Sequence, residues 1–333
     1  MVARPGLALL LAAACLAAPA ATQARSSVND GTVRGRGTGA TLSAIFYYPW
    51  YGTPALDGGY QHWQQNGNTP PAAIAANFFP ARGTYSSTDK LVLAAQMTQI
   101  SAAGVGQVIV SWWGRDSVEA ARLPAVVAAA RSHGLSVAVH IEPYPGRTVA
   151  GVGDDLAGLA QYGITDVYVY GSTELSDSDW SVLNRSLGSV RTFANTPYAA
   201  RAWAGGFTGI YTYDVLTYNG SSFPRMCEQA RRLQILCAPS VGPGYDARRA
   251  TPDTRVKSRR DGATYDAMWR SALRAKADLV TITSFNEWHE GTQIEPAKPV
   301  PGYASYAGAY GLKGVAARNA YLERTGYWTS RAR

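Results

Sequence analysis

The feature that most constrains the fold of this chain is a repeated alternation of short strand-like runs with longer helix-like runs. The short runs are rich in β-branched and aromatic residues and are apolar almost throughout, which is typical of parallel strands buried on both faces. Eight such runs occur, at 43–48, 107–112, 136–141, 166–170, 190–195, 209–213, 234–239 and 279–285. This alternation predicts an α/β fold made of a single (β/α)8 barrel.

The helix-like runs lie between these strands and end where capping residues are found. Thr88 and Asp89 stand where an N-cap belongs, and Gly104 and Gly134 stand where a helix stops before the next strand. An open doubly wound sheet is the alternative, but it would need a glycine-rich phosphate loop after the first strand, and residues 49–54 (PWYGTP) do not form one. The helix-like runs are 87–103, 119–133, 154–162, 179–188 and 261–277.

The first residues are typical of an export signal. Residues 1–24 combine Arg4, an apolar stretch too short to remain as a membrane span, and small residues before a cleavage site after Ala24. Residues 25–40 are rich in Gly, Ser and Arg and predict a flexible leader. We therefore expect a secreted protein without stable membrane insertion; a lipid anchor at Cys15 is the alternative.

Two cysteines, Cys227 and Cys237, stay after removal of the signal. In an exported protein such a pair favours one disulfide, here between a helical stretch and the following strand. The alternative is two buried free thiols.

The composition separates the chain from several classes of protein. Hydrophobic residues make up 46% and charged residues 16% of the 333 residues, which excludes a disordered chain. Its 31 Lys and Arg against 23 Asp and Glu give a formal charge of +8. The basic residues are scattered, and the densest cluster, at 255–260, is interpreted as a solvated loop; no nucleic acid partner is expected. We expect a monomer.

Polar and aromatic residues collect at the end of nearly every predicted strand, which is where (β/α)8 barrels place their active sites. Trp and Tyr rings pack on the apolar faces of sugars, while carboxylates and amides bind the hydroxyl groups. The pattern therefore predicts a carbohydrate site. The residues concerned include Tyr51, Trp112, Trp113, His140, Glu142, Tyr211, Tyr213, Tyr245, Asn286 and Trp288.

The chemistry available at these strand ends is that of carboxylates. The histidines and cysteines lack metal-binding spacing, and no GxSxG elbow is present, so neither a metal nor another cofactor is expected. Glycosidic hydrolysis needs one group that protonates the leaving oxygen and a second that acts as base, nucleophile or charge stabiliser. Glu287 and Glu290 are three residues apart and can face one cleft, although an exposed acidic turn would look similar. Glu142 is a third candidate, and Glu295 is interpreted as structural.

Six motifs are similar to glycoside hydrolase family 99, the family of endo-α-1,2-mannosidases and endo-α-1,2-mannanases. The similarity runs in order from about residue 44 to 325, and the last motif is long and specific. The motifs are FYYPWYGTP (46–54), SWWG (111–114), HIEPY (140–144), GIYTYD (209–214), SVGPGYD (240–246) and SFNEWHEGTQIEP (284–296).

The resemblance implies a (β/α)8 hydrolase domain over residues 41–333 that cleaves internal α-mannosidic linkages with retention and without a metal. By position, Glu290 would be the general acid and then base, and Glu287 the base that deprotonates the substrate's 2-hydroxyl, giving a 1,2-anhydro sugar. It also implies that Arg248 and the strand-end residues Tyr51, Trp112, Trp113, Glu142, Tyr211, Tyr213 and Tyr245 line the cleft.

Several alternatives stay open. Residues 70–83 cannot be matched to the family's substrate loops, so glucose-capped oligosaccharides and mannan are both candidate substrates. A barrel glycosidase for another α-glycan, a non-catalytic glycan-binding protein and an accessory protein of polysaccharide biosynthesis are the other functions to consider. The pair of glutamates argues against a pure binding protein, which has no need of both.

Overall fold

The computed structural model describes residues 42–332. The predicted signal peptide, the leader at 25–40 and the alternative anchor at Cys15 lie outside the described residues.

The described chain forms a parallel sheet in which each strand pairs with the next one along the sequence, and the first pairs with the last. All eight predicted strands are present, with ends shifted by a few residues. The strands are β1 (Leu42–Tyr47), β2 (Gln107–Trp112), β3 (Ser136–Ile141), β4 (Asp166–Val169), β5 (Arg191–Asn195), β6 (Gly209–Tyr211), β7 (Leu236–Ala238 and Ser240–Val241) and β8 (Leu279–Ile282).

The break in β7 is what closes the barrel. Its first part pairs with β6 through Cys237, and its second part pairs with β8 through Val241. Pro239, between them, has no N–H to donate to a ladder, so the interruption falls where the sequence cannot maintain pairing. The two parts are continuous in the chain, and the sheet therefore closes into the predicted (β/α)8 barrel.

Helices alternate with the strands, as predicted. Asp89 is the N-cap of the first long helix, since its carboxylate accepts a hydrogen bond from the Leu91 N–H at 2.8 Å, and Gly104 and Gly134 adopt left-handed φ values of 71° and 73°. The α-helices of the described residues are α1 (Pro54–Asp57), α2 (Lys90–Ala102), α3 (Val118–Ser132), α4 (Val149–Leu159), α5 (Asp177–Ser186), α6 (Ala199–Ala204), α7 (Phe223–Arg232), α8 (Ala263–Arg274) and α9 (Ala320–Thr329).

Four helices, α1, α6, α7 and α9, lie outside the five helix-like runs given above, although a helical stretch was expected around Cys227 of α7, and α4 begins at a different residue. α4 begins five residues earlier than predicted, because Thr148 caps it by accepting from the Gly151 N–H at 3.0 Å, and two glycines in its first turns hide the helical pattern. α6, which was not predicted, has six residues, too few for an apolar periodicity to show. Within residues 42–332, no helix has the length and apolar character needed to cross a membrane.

Aromatic rings fill the centre of the barrel beneath the strand ends. Phe46 of β1 lies 4.7 Å from the ring of His140 on β3, 6.0 Å from Tyr168 on β4 and 5.8 Å from Tyr211 on β6. These strands are not neighbours of β1, so the rings meet only across the barrel interior. This buried layer forms a floor under the carboxyl ends of the strands.

Two short antiparallel pairs lie outside the main sheet. One joins Tyr245–Asp246 to Val256–Lys257, and we call residues 245–257 the ribbon. The other joins Phe79–Pro80 to Ala297–Lys298. The ribbon follows β7 directly, so it emerges at the same end of the barrel as the predicted site.

The predicted disulfide is confirmed, since Cys227 of α7 is bonded to Cys237 of β7. Both residues are fully buried. The bond ties a helix to the strand that follows it, across a separation of 10 residues.

We expect the double variant Cys227→Ala/Cys237→Ala to lose about 3 kcal/mol of unfolding free energy, because opening a short loop restores chain entropy to the unfolded state. Thermal unfolding measures the change. Wild type treated with reductant should unfold at the temperature of the double variant. Equal melting temperatures for oxidised wild type, reduced wild type and the variant would contradict a stabilising disulfide.

Candidate active site

Glu287 and Glu290 lie in the segment that follows β8, and a side-chain amide joins this segment to the end of β1. Asn286 Oδ1 accepts a hydrogen bond from the Tyr48 N–H at 2.8 Å, and its Nδ2 donates to the Tyr48 carbonyl at 3.0 Å. The Tyr51 hydroxyl donates to the Asn286 carbonyl and accepts from the Trp288 N–H, each at 3.1 Å. The backbone on both sides of Glu287 is thereby fixed.

Glu295 holds the far end of the same segment. Its buried carboxylate accepts hydrogen bonds from Trp288 Nε1 at 2.9 Å, from the Tyr85 hydroxyl at 2.8 Å and from Gln96 Nε2 at 2.8 Å. Arg82 Nε lies 3.4 Å from the same carboxylate. With every neighbour a donor, Glu295 is engaged in supporting the segment, which agrees with the structural interpretation made from the sequence.

Glu287 is only 3% exposed. Its Oε1 accepts from the His289 N–H at 2.9 Å, and its own N–H donates to Ser284 Oγ at 2.9 Å. Burial, followed by the charges of Glu290 and Glu142, raises the pKa of Glu287 well above its usual range. A carboxylate with a raised pKa is a stronger base than an exposed glutamate.

Glu290 is the more exposed member of the pair. The Tyr213 hydroxyl donates to its Oε2 at 3.4 Å, and its backbone carbonyl accepts from the Asp246 N–H at 2.7 Å. Burial, assisted by the charges of Asp214 and Glu142, raises the pKa of Glu290 to about 7. This carboxyl group can therefore carry a proton close to neutral pH and give it to a bound molecule.

Tyr213 is held firmly enough to orient that carboxyl group. Its φ of 53° is left-handed, and its backbone is fixed by a hydrogen bond from its N–H to Ser240 Oγ at 2.7 Å and one from Thr283 Oγ1 to its carbonyl at 3.0 Å. Its hydroxyl also forms a short hydrogen bond with the hydroxyl of Tyr48.

Glu142, at the end of β3, is a third carboxyl group in the same region. Its Oε1 accepts from Ser111 Oγ at 2.8 Å and lies 2.9 Å from His140 Nδ1. His140 Nε2 is 2.7 Å from the Tyr211 hydroxyl, and Trp113 Nε1 donates to Ser111 Oγ at 3.1 Å. The result is a chain of polar contacts that runs from the barrel floor to Trp113.

The residues predicted to bind substrate divide into two sets. Trp113 is 36% exposed, Tyr245 is half-buried with its hydroxyl donating to Asp253 at 2.9 Å, and Arg248 is exposed and paired with Asp246 at 2.8 Å. The others have almost no exposed surface and lie beneath or beside the carboxyl groups. They are Tyr51, Trp112, His140, Tyr211, Tyr213, Asn286 and Trp288. A direct contact with a ligand stays a prediction for both sets.

Four residues that the sequence prediction of the site did not include help to build it. Tyr48 contacts Asn286 and Tyr213, Tyr85 supports Glu295, and Ser111 supports Glu142. Asp214 adds charge near Glu290. Tyr48, Ser111 and Asp214 stand inside the motifs quoted above, so their position was a usable signal, whereas Tyr85 lies outside them and acts through a pairing that only the fold creates.

A cavity of about 550 Å³ opens beside Trp113. Its walls include Tyr144, Arg115, Asp116 and Asp155, so an aromatic face stands among charged and polar groups. This is the mixture that suits a sugar. Among residues 42–332, no three His, Cys, Asp or Glu side chains come together in a way that could hold a metal ion.

Comparisons with known proteins agree with this geometry. The chain is 33% identical over 317 residues to a glycoprotein endo-alpha-1,2-mannosidase-like protein of Danio rerio, covering 77% of this chain and 71% of the relative. It is 34% identical over 315 residues to a glycoprotein endo-alpha-1,2-mannosidase of Xenopus laevis, covering 77% and 70%. The solved structure of the GH99 endo-alpha-mannosidase from Bacteroides thetaiotaomicron superposes with a TM-score of 0.78 at 29% identity, covering 88% of this chain and 98% of that one.

The model of glycosyl hydrolase family 99 matches residues 40–333, which includes every strand and helix described above. The sequence relatives, the superposed structure and the family model thus indicate the same family. The chain is a glycoside hydrolase that belongs to family 99, the endo-α-mannosidase family.

Proposed function

We propose that this chain is a secreted, retaining endo-α-mannosidase that hydrolyses internal α-1,2-mannosidic linkages of mannan or of N-glycan-like oligosaccharides. The observation that carries the proposal is the placement of Glu287 and Glu290 on one fixed segment, with a raised pKa for both carboxyl groups. The names of the vertebrate relatives, which specify α-1,2-mannosidase activity, support the choice of linkage.

In the first step, Glu287 takes the proton of the 2-hydroxyl on the mannose whose glycosidic bond breaks. The freed oxygen attacks C1 of the same sugar, and the bond from C1 to the leaving oxygen breaks. Glu290 gives its proton to that leaving oxygen. The product is a 1,2-anhydro mannose, and the neighbouring oxygen replaces an enzyme nucleophile because it is already positioned.

In the second step, Glu290 is ionised and takes a proton from water. The water oxygen attacks C1, the three-membered ring opens, and O2 recovers its proton from Glu287. Two displacements at C1 retain its configuration, and both glutamates return to their starting protonation.

The groups around the pair have distinct parts in this proposal. The Tyr213 hydroxyl holds Glu290 toward the leaving oxygen, and the negative charge of Glu142 favours the protonated form of its neighbours. Trp113 offers a partly exposed ring on which the apolar face of a sugar can pack.

The disulfide between Cys227 and Cys237 supports export, because such bonds persist in oxidising compartments. The predicted signal peptide at residues 1–24 would direct the chain there.

We expect Glu290→Gln and Glu287→Gln each to lower kcat on α-1,2-branched mannan by about 1,000-fold, since general acid and base groups contribute roughly 100- to 10,000-fold. Both variants should still bind oligosaccharide, which calorimetry measures. Glu228→Gln, on the exposed side of α7, is the matched control and should retain full activity.

The substrate panel for this test is branched mannan, its debranched α-1,6 backbone and a glucose-capped α-1,2-mannoside. Cleavage of branched mannan or of the glucose-capped compound supports the proposal and identifies the sugar on the non-reducing side. Binding without cleavage by wild type would favour a glycan-binding protein, and cleavage only of another α-glycan would overturn the assigned linkage.

We expect kcat/KM to fall as pH rises through about 7, because Glu290 must carry a proton to act as the acid and its pKa is raised to about 7. Asp214→Asn removes a negative charge that favours the protonated form of Glu290. The pKa of Glu290 should therefore fall, and the falling limb of the pH profile should move to lower pH. Asp177→Asn, in an exposed ion pair with Arg201, should leave the profile unchanged. An unmoved limb in Asp214→Asn would refute this origin of the pH dependence.

A further inference from the structure

The basic cluster at 255–260 is not uniformly solvated, which corrects the sequence interpretation. Arg255 is exposed and paired with Asp253, but Arg259 turns inward at the end of the ribbon. The guanidinium carbon of Arg259 lies 4.5 Å from the ring centre of Phe78, 4.9 Å from Tyr306 and 4.5 Å from Tyr321. Three aromatic rings thus surround the guanidinium group, and cation–π contacts stabilise its charge there.

The Nη2 group of Arg259 donates hydrogen bonds to the segment after β8 that carries Glu287 and Glu290, residues 284–296, which we call the catalytic segment. Its Nη2 donates to the carbonyl of Gly291 and to the carbonyl of Gln293, each at 2.8 Å. These carbonyls lie one and three residues after Glu290. Among the described residues, no carboxylate forms an ion pair with Arg259, and both hydrogen bonds of its Nη2 go to this backbone.

The segment is close to the ribbon at the same point. Gly291 has a left-handed φ of 63°, and a Cβ built on it would lie 2.9 Å from the Asp246 carbonyl oxygen. The Asp246 N–H donates to the Glu290 carbonyl at 2.7 Å. Asp246 and Arg259 therefore bind three backbone carbonyls of this segment, at residues 290, 291 and 293.

We propose that Arg259 is a positioning residue for Glu290, which sets the direction of the acid by fixing the backbone that carries it. This inference rests on the proposed function, in which Glu290 is the acid. A displacement of about 1 Å in a reacting group can cost roughly 100-fold in rate, so loss of the two hydrogen bonds should act on the chemical step. A lysine would keep the charge among the rings but could not form the same fork.

The chain offers a matched control in Arg324. Its guanidinium also packs on aromatic rings, 3.9 Å from the centre of Tyr327 and 4.9 Å from that of Tyr310. Its Nε donates to Asp266 at 2.8 Å, between α9 and α8, and it makes no contact with the catalytic segment. Arg259 and Arg324 thus share an aromatic environment and differ in what their hydrogen bonds hold.

The test compares Arg259→Ala, Arg259→Lys and Arg324→Ala in the full mature chain, with melting temperature, kcat and KM measured for each. We expect Arg259→Ala to lower kcat by about 30-fold and to change KM by no more than roughly threefold. The displaced Glu290 would protonate the leaving oxygen poorly in the transition state, while the groups that bind substrate in the ground state stay in place. Arg259→Lys should be intermediate. Arg324→Ala should lower the melting temperature comparably and leave kcat within about twofold.

Methylguanidinium provides a readout that a purely structural role would not give. The three rings stay in Arg259→Ala, so the added cation can occupy their centre and bind the two carbonyls, and we expect it to restore kcat at millimolar concentration. It should not increase the activity of wild type or of Arg324→Ala. Restoration in Arg259→Ala alone supports the proposal.

Two outcomes would overturn the inference while the proposed function stands. In the first, the kcat of Arg259→Ala is no lower than that of Arg324→Ala. In the second, Arg259→Ala loses kcat, and methylguanidinium does not restore it at any concentration that leaves wild type active. Full activity in Glu290→Gln would instead overturn the proposed function itself. The two failures are therefore distinguished by separate variants.

Discussion

The structure depends on keeping carboxyl groups out of water at the end of a barrel. Glu287, Glu142 and Glu295 are each 5% exposed or less, and a buried carboxylate is unfavourable unless donors or a proton compensate for the lost solvent. Glu295 accepts hydrogen bonds from tyrosine, tryptophan and glutamine side chains, and Glu142 accepts one from Ser111. Burial raises the pKa of Glu287, Glu290 and Glu295 alike, and at Glu287 and Glu290 the charges of neighbouring carboxylates add to the effect.

This arrangement explains why so much of the chain serves one short segment. Asn286 joins it to β1, and Glu295 joins it to α2 through Gln96. Asp246 of the ribbon and Arg259, two residues beyond the ribbon, bind its carbonyls. The aromatic floor formed by Phe46 and its neighbours excludes water from below. A rigid, largely buried segment raises the pKa of both carboxyl groups above the usual range of glutamate, which favours proton transfer to and from a bound molecule.

The barrel was predictable because each strand is an apolar run with a helix after it. The placement of Glu287 and Glu290 on one segment after β8 was predictable from their position behind the last strand-like run. Local features failed where the pattern was short or masked, as for α6 and the first turns of α4. A local sequence pattern cannot predict contacts between residues far apart in the chain. Tyr85 supports Glu295 only because the fold brings the two together. The same holds for Arg259, which packs on Phe78, Tyr306 and Tyr321.

The central claim is that these two glutamates cleave an α-mannosidic bond through two displacements at C1. The most direct test is to follow cleavage of an α-1,2-mannoside by proton NMR from the first minutes and to identify the anomer that forms before mutarotation. With two displacements at C1, the α-anomer appears first and the β-anomer grows only later. The β-anomer as first product would show a single displacement and would contradict the account.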